Sequence, residues 1–122
     1  MIMKEFLYSK IYNAKITSTS TGAGVGTTFA GGSITISGEL LKAAKLYENQ
    51  KVIIADINNG NRFETYIVKT DVPKTISIDG AAARLVSVDD KIIIMAFEVI
   101  HNRDIPNHRP IVITVNDNNK II

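Results

Sequence analysis

No cysteine occurs in the 122 residues, so disulfides, zinc–thiolate sites and a cysteine nucleophile are excluded at the outset. Tryptophan is absent as well, and the two histidines, His101 and His108, flank Pro106 in a stretch without regular patterning. A metal site built on them is not expected. Neither sign of charge prevails. Lys and Arg total 14 against 12 Asp and Glu, a net charge of +2, and the basic residues from Lys10 and Lys15 to Arg62 and Lys69 are scattered. Without a basic stripe and interleaved aromatics, nucleic-acid binding is disfavoured. No apolar run approaches membrane-spanning length, and residues 1–6 lack the apolar core and cleavage site of a signal peptide. The expectation is a cytoplasmic chain with no membrane partner. No internal repeat and no shift in composition divides it, so residues 1–122 read as one domain. Its hydrophobic content of 45% is enough for a single real core.

What is present reads mainly as short strands. Residues 3–9 and 10–19 carry a partly clean period of two, and residues 33–36 resume an extended pattern. Lys51-Val52-Ile53-Ile54-Ala55-Asp56-Ile57 and Arg62-Phe63-Glu64-Thr65-Tyr66-Ile67-Val68 are the clearest strands. The Asn58-Asn59-Gly60-Asn61 link between them is a hairpin signal, with glycine available for positive φ. Residues 75–78 and 111–115 predict two further strands. The nearly all-apolar run Lys91-Ile92-Ile93-Ile94-Met95-Ala96-Phe97 predicts a strand buried on both faces. Ser37 is placed to cap a short helix over 38–47, with Leu40, Ala43, Ala44 and Tyr47 on one face. Residues 81–85 predict a second brief helix, and residues 18–32, almost all Ser, Thr, Gly and Ala, an exposed loop. Many short strands with two brief helices indicate a compact β-barrel.

Gly32-Ser33, where that loop meets the next strand, is the candidate centre of chemistry. A serine hydroxyl is a nucleophile, and glycine before it leaves the preceding carbonyl unshielded and its own backbone free to take unusual angles. Under strain, Ser33 can attack its own peptide bond. The plainer alternative is a flexible Gly-Ser linker.

Four segments in order, in a chain of matching length, give that pair a context. Ser9-Lys10-Ile11, Gly32-Ser33, Asn59-Gly60-Asn61-Arg62-Phe63-Glu64-Thr65-Tyr66 and Asp79-Gly80-Ala81-Ala82-Ala83-Arg84 resemble the SKI/GKL, Gly-Ser, NG-x-RF-x-TY and NGAAA segments of the bacterial aspartate 1-decarboxylase family. The likeness runs over almost the whole chain apart from the loop before Gly32.

The resemblance implies a mainly β fold, a six-stranded double-psi β-barrel with short helices, assembled as a homotetramer with active sites between subunits. It implies self-cleavage between Gly32 and Ser33 through an N-to-O acyl shift, which turns Ser33 into a pyruvoyl group at a new N-terminus and uses no metal. The implied activity is decarboxylation of L-aspartate to β-alanine through a Schiff base, for pantothenate and coenzyme A synthesis. Whether cleavage is spontaneous or uses a maturation factor as partner stays open. Arg62 would bind a substrate carboxylate, which suits a planar guanidinium; otherwise it is an exposed strand charge. Lys10 would add positive charge near the substrate, or is a solvated lysine. Tyr66 would return a proton after decarboxylation, or is a packed cross-strand aromatic. Thr65 would polarise the scissile carbonyl and contact substrate, or is simply a good strand former. Asp79, Gly80, Ala81 and Ala82 would line the substrate position, or make a tight turn into a helix.

This chain departs from that pattern at several points. Tyr12 stands where the family usually has histidine, Ala30 where it commonly has tyrosine, and Asp79 in place of asparagine, and the loop into Gly32 is longer and richer in glycine. An aspartate at 79 puts negative charge near a substrate that carries two carboxylates of its own. Two alternatives follow: the same cofactor acting on another small amino acid, and an unprocessed, non-catalytic barrel that binds a partner.

Overall fold

The computed structural model describes residues 2–20 and 32–122. The fold is mainly β, with eight strands among the described residues where six are implied by the resemblance. The strands are β1 (Met3–Lys15), β2 (Ser18–Ser20), β3 (Ser33–Ser37), β4 (Lys51–Asp56), β5 (Arg62–Thr70), β6 (Ile76–Asp79), β7 (Lys91–His101) and β8 (Ile111–Thr114). The described residues also hold one helix, α1 (Gly38–Ala44), and two 3-10 helices, Gly80–Leu85 and Asn102–Asn107. The strands hydrogen-bond in the order β2-β6-β3-β5-β4-β7-β1-β8.

That order forces the sheet to curl. β1 and β2 stand six places apart in it, which in a flat sheet is about 29 Å at about 4.8 Å per strand. Only Ile16 and Thr17 join them, a reach of about 11 Å at most. Thr17 bonds its amide to the Ile76 carbonyl at 2.7 Å, while the neighbouring Ile16 amide donates to Asp90 just before β7 at 3.0 Å. The Thr17 hydroxyl donates to the Ile76 carbonyl as well, at 2.9 Å.

One face of the curled sheet is filled with isoleucine. Ile11, Ile34, Ile36, Ile54, Ile67, Ile76, Ile78, Ile92 and Ile94 are all fully buried. Branched side chains pack well on a pleated surface, and each such burial contributes about 1.5–3 kcal/mol. β7 was expected to be buried on both faces, but it alternates. Ile92, Ile94 and Ala96 are buried, Ile93 and Met95 are half-buried, and Phe97 to Val99 are exposed, because only one face of the strand meets the core. The two strands expected over 3–9 and 10–19 run as one strand, β1, as far as Lys15, with register shifts between Leu7 and Ser9 and between Ile11 and Ala14; residues 18 and 19 belong to β2. Such bulges let a long strand bend with the sheet.

The exposed loop expected over 18–32 is overturned at both of its described ends. Ser18–Ser20 pairs in parallel with Ser77–Asp79, and Gly32 is buried; residues 21–31, Ala30 among them, lie outside the described residues. The polar C-terminal segment is fastened down by Asn119, which bonds the Lys15 amide at 2.7 Å and the Lys15 carbonyl at 2.8 Å.

Helix α1 is shorter than its pattern predicts. Leu40, Leu41 and Ala44 are buried, but Tyr47 is 69% exposed and lies beyond the helix. Lys45 stops it by entering the left-handed region at φ 54°, so that the Leu46 amide reaches back to the Leu41 carbonyl at 2.9 Å. Ser37 occupies the N-cap position, yet its side chain makes no capping bond. A Cβ in the left-handed region is strained by about 1 kcal/mol. Lys45→Gly is therefore expected to raise the melting temperature, by about 4 °C, as a thermal denaturation curve would register.

Candidate active site

Gly32 and Ser33 sit where three strands and a helix meet. Antiparallel pairing of β3 with β6 puts Ser33 opposite Asp79 and Thr35 opposite Ser77. Parallel pairing of β2 with β6 adds Ser18 and Ser20 on the far side of Ser77 and Asp79. Gly32 has φ +105°, and a side chain there would lie 3.5 Å from the Asp79 carbonyl oxygen and 3.8 Å from the Ala81 and Ala82 amide nitrogens. There is room for a methyl group; it is the backbone angle that calls for glycine. The expected cluster of Gly32, Ser33, Asp79, Gly80, Ala81 and Ala82 is thus a single neighbourhood at the start of the 3-10 helix.

Two buried hydroxyls here lack a hydrogen-bond partner among the described residues: Ser33 Oγ and Thr65 Oγ1. The parallel register of β3 with β5 pairs Ile34 with Ile67. Extended back along both strands, it aligns Ser33 with Tyr66 and Gly32 with Thr65. Buried polar atoms are nearly always paired, so two orphans flanking one peptide bond mark the place where chemistry is to be sought.

The ladders also assign faces. Lys10 pairs with Met95, Met95 with Ile53 and Ile53 with Glu64. Partners in register share a face, and alternate residues along a strand share it too. Lys10, Arg62, Tyr66, Ser33 and Asp79 therefore stand on the face opposite the isoleucines, and Thr65 points to the isoleucine side. Sharing a face does not bring all of them together. Lys10, on β1, is four places from β3 in the sheet, about 19 Å along it, and its ammonium lies 5.9 Å from the Tyr12 ring centroid. Arg62 is exposed at the hairpin mouth.

A match to the family model described as aspartate decarboxylase covers residues 2–122. The aspartate 1-decarboxylase of Caldicellulosiruptor bescii is 48% identical over 97% of this chain and 88% of its own length. That of Campylobacter fetus is 43% identical over 96% of each chain, and that of Helicobacter pylori strain J99 is 41% identical over 97% of this chain and 95% of its own. The chain belongs to the aspartate decarboxylase family. It is accordingly an enzyme, a carboxy-lyase.

The structure gives physical reasons for parts of the family's signature segments. Gly60 turns the hairpin at φ +79°. The Asn59 and Asn61 side-chain amides both donate to the Leu85 carbonyl, at 2.9 and 2.8 Å. This ties the turn before Arg62 to the far end of the helix that begins at Gly80. Sequence reasoning did not single out Asn59 and Asn61 as a tie, nor Thr35 and Ser77 as partners of Asp79. The alternation Ser33, Thr35 and Ser77, Asp79 was the available signal for the second pair; nothing local signals the first.

A buried carboxyl closes the same hairpin. Asp56, 2% exposed, accepts from the Asn58 amide at 2.8 Å and the Asn59 amide at 3.2 Å through Oδ1. Its Oδ2 meets no donor and faces the Asp90 carboxyl, an arrangement a shared proton satisfies. Burial first, then the hydrogen bond and charge of Asp90, push the Asp56 carboxyl above its ordinary 3.8. The folded chain thus holds this proton more tightly than the unfolded one. The group's contribution to stability is complete below about 3.8 and lost as pH rises through its folded value. Asp56→Asn keeps an acceptor for both amides and removes the charge. It is expected to melt above the unsubstituted chain at neutral pH, the gap closing as the solution is acidified, in melts across a pH series.

Proposed function

We propose that the chain cleaves itself between Gly32 and Ser33 and then decarboxylates L-aspartate to β-alanine and carbon dioxide, using a pyruvoyl group made from Ser33. The observation that carries this reading is the buried, unpartnered Ser33 hydroxyl next to Gly32 in a left-handed conformation, with the orphaned Thr65 hydroxyl in register with Gly32. A free nucleophile, an unshielded carbonyl and a donor for the oxygen that gains charge are what an acyl shift needs. The Ser33 oxygen bonds to the Gly32 carbonyl carbon and the C–N bond breaks, leaving an ester. Elimination releases residues 1–32 as a carboxylate, and hydrolysis of the Ser33 remnant releases ammonia.

The pyruvoyl carbonyl supplies the electron sink for loss of carbon dioxide, as pyridoxal phosphate does elsewhere. The protein's own groups do the rest. The Arg62 guanidinium holds a substrate carboxylate, Lys10 adds a second cation, and Tyr66, in register with Ser33, donates the proton that replaces the departing carboxylate. Gly80, Ala81 and Ala82 offer backbone and space.

In this reading the chain assembles as a homotetramer with sites between subunits. Lys10 stands on a face that also exposes Tyr12, Phe97, Val99 and Val112, an apolar patch fit to meet another copy. Within this reading the barrel is six-stranded double-psi, the enzyme is cytoplasmic, and β-alanine goes to pantothenate.

Intact mass under denaturing conditions is expected to show two fragments, 1–32 and 33–122, the larger lighter by one ammonia than a serine-started chain; Ser33→Ala is expected to stay whole. A full-length mass that persists on warming would show that the chain does not mature unaided, and one that also persists with a maturation factor supplied would remove the pyruvoyl reading. In processed enzyme, Arg62→Ala should lower kcat/KM for aspartate by about 10²-fold or more, the loss of a charge-assisted bidentate contact. Carbon dioxide release assayed beside an uncharged amino acid separates this from general damage.

A further inference from the structure

We propose that Asp79 is the base that takes the proton from Ser33 Oγ during self-cleavage, with Thr35 and Ser77 as the positioning residues that hold it; this rests on the processing reading above. Ser33 and Asp79 are cross-strand partners, so their side chains leave the same face with Cβ atoms about 4.5–5.5 Å apart. Thr35 Oγ1 donates to Asp79 Oδ2 at 3.2 Å, and Ser77 Oγ donates to Asp79 Oδ1, also at 3.2 Å. Each carboxylate oxygen is thereby fixed by one hydroxyl. A carboxylate accepts about four hydrogen bonds, so capacity remains for a further donor. Ser33 Oγ, fully buried, donates to nothing among the described residues. Rotation about its χ1 aims the hydroxyl at its cross-strand neighbour.

The step balances without a co-reactant. Ser33 Oγ bonds to the Gly32 carbonyl carbon as its proton passes to Asp79. The proton then moves to the Ser33 nitrogen as the C–N bond breaks, leaving the ester and a carboxylate as it began. An asparagine at this position would have no carboxylate to take the proton. The aspartate here, with hydroxyls at Thr35 and Ser77 to orient it, converts the position into a general base.

The test follows full-length chain into its two fragments by denaturing mass spectrometry. Asp79→Asn, similar in shape, should slow cleavage by about 10²-fold. Thr35→Val and Ser77→Ala should slow it by about tenfold each, and Thr35→Ser should restore it. Added formate should accelerate Asp79→Ala in proportion to its concentration and leave Ser33→Ala whole, which a merely structural role does not produce. Asp79→Asn cleaving at the unsubstituted rate would overturn the proposal while sparing the processing reading, as would formate without effect on a folded Asp79→Ala, with folding checked by thermal melts. An unsubstituted chain that never cleaves would overturn both. If substitution at 79 unfolds the chain, Thr35→Val, which removes a single bond to the carboxylate, decides by its rate: no slowing overturns the proposal.

Discussion

Two residues constrain the whole sheet. Ile16 and Thr17 must carry the chain from β1, near one end of the strand order, to β2 at the other, and the distance they can span is far shorter than a flat sheet would need. The sheet therefore curls. Curling encloses one face, and the isoleucines of β1, β3, β4, β5, β6 and β7 fill it. The other face carries Lys10, Arg62, Tyr66, Ser33 and Asp79, and there a reaction with water-soluble substrates can take place.

On that second face the chemistry is set by register. Ser33 meets Asp79, Thr35 meets Ser77, and Gly32 lies against the first amides of the Gly80–Leu85 helix. A slip of one residue in β6 would turn Asp79 toward the isoleucines and remove its hydroxyl partners. The buried row Ile34–Ile78 on the opposite face resists that slip, so the hydrophobic core fixes the geometry of a site it does not touch.

The hairpin carrying Arg62 is held from both sides. Asp56 knots its turn from within, accepting from two backbone amides. Asn59 and Asn61 lash it to the carbonyl at the end of the helix whose start faces Gly32. Burial and the neighbouring Asp90 carboxyl make Asp56 hold its proton more tightly, which couples this fastening to pH. Lys10 lies above Tyr12 on a face with exposed apolar side chains, the face on which the proposed reading seats a second copy.

The sequence by itself determined a good deal. Alternation and branched residues located most strands, Asn-Gly located the hairpin, and the order of short motifs carried the family. These are local signals, written in neighbouring residues. It misread β7, whose unbroken apolar run looks the same whether one face or two are covered, and it overran helix α1, because the left-handed turn at Lys45 leaves no mark in a lysine. It placed a loop at Ser18 where tertiary pairing with β6 makes a strand of three polar residues. Only the tertiary structure decided that Ser33, Asp79, Thr35 and Ser77 meet. They are brought together by strand pairing between segments more than forty residues apart, since long-range pairing depends on the fit of whole faces and not on any one residue.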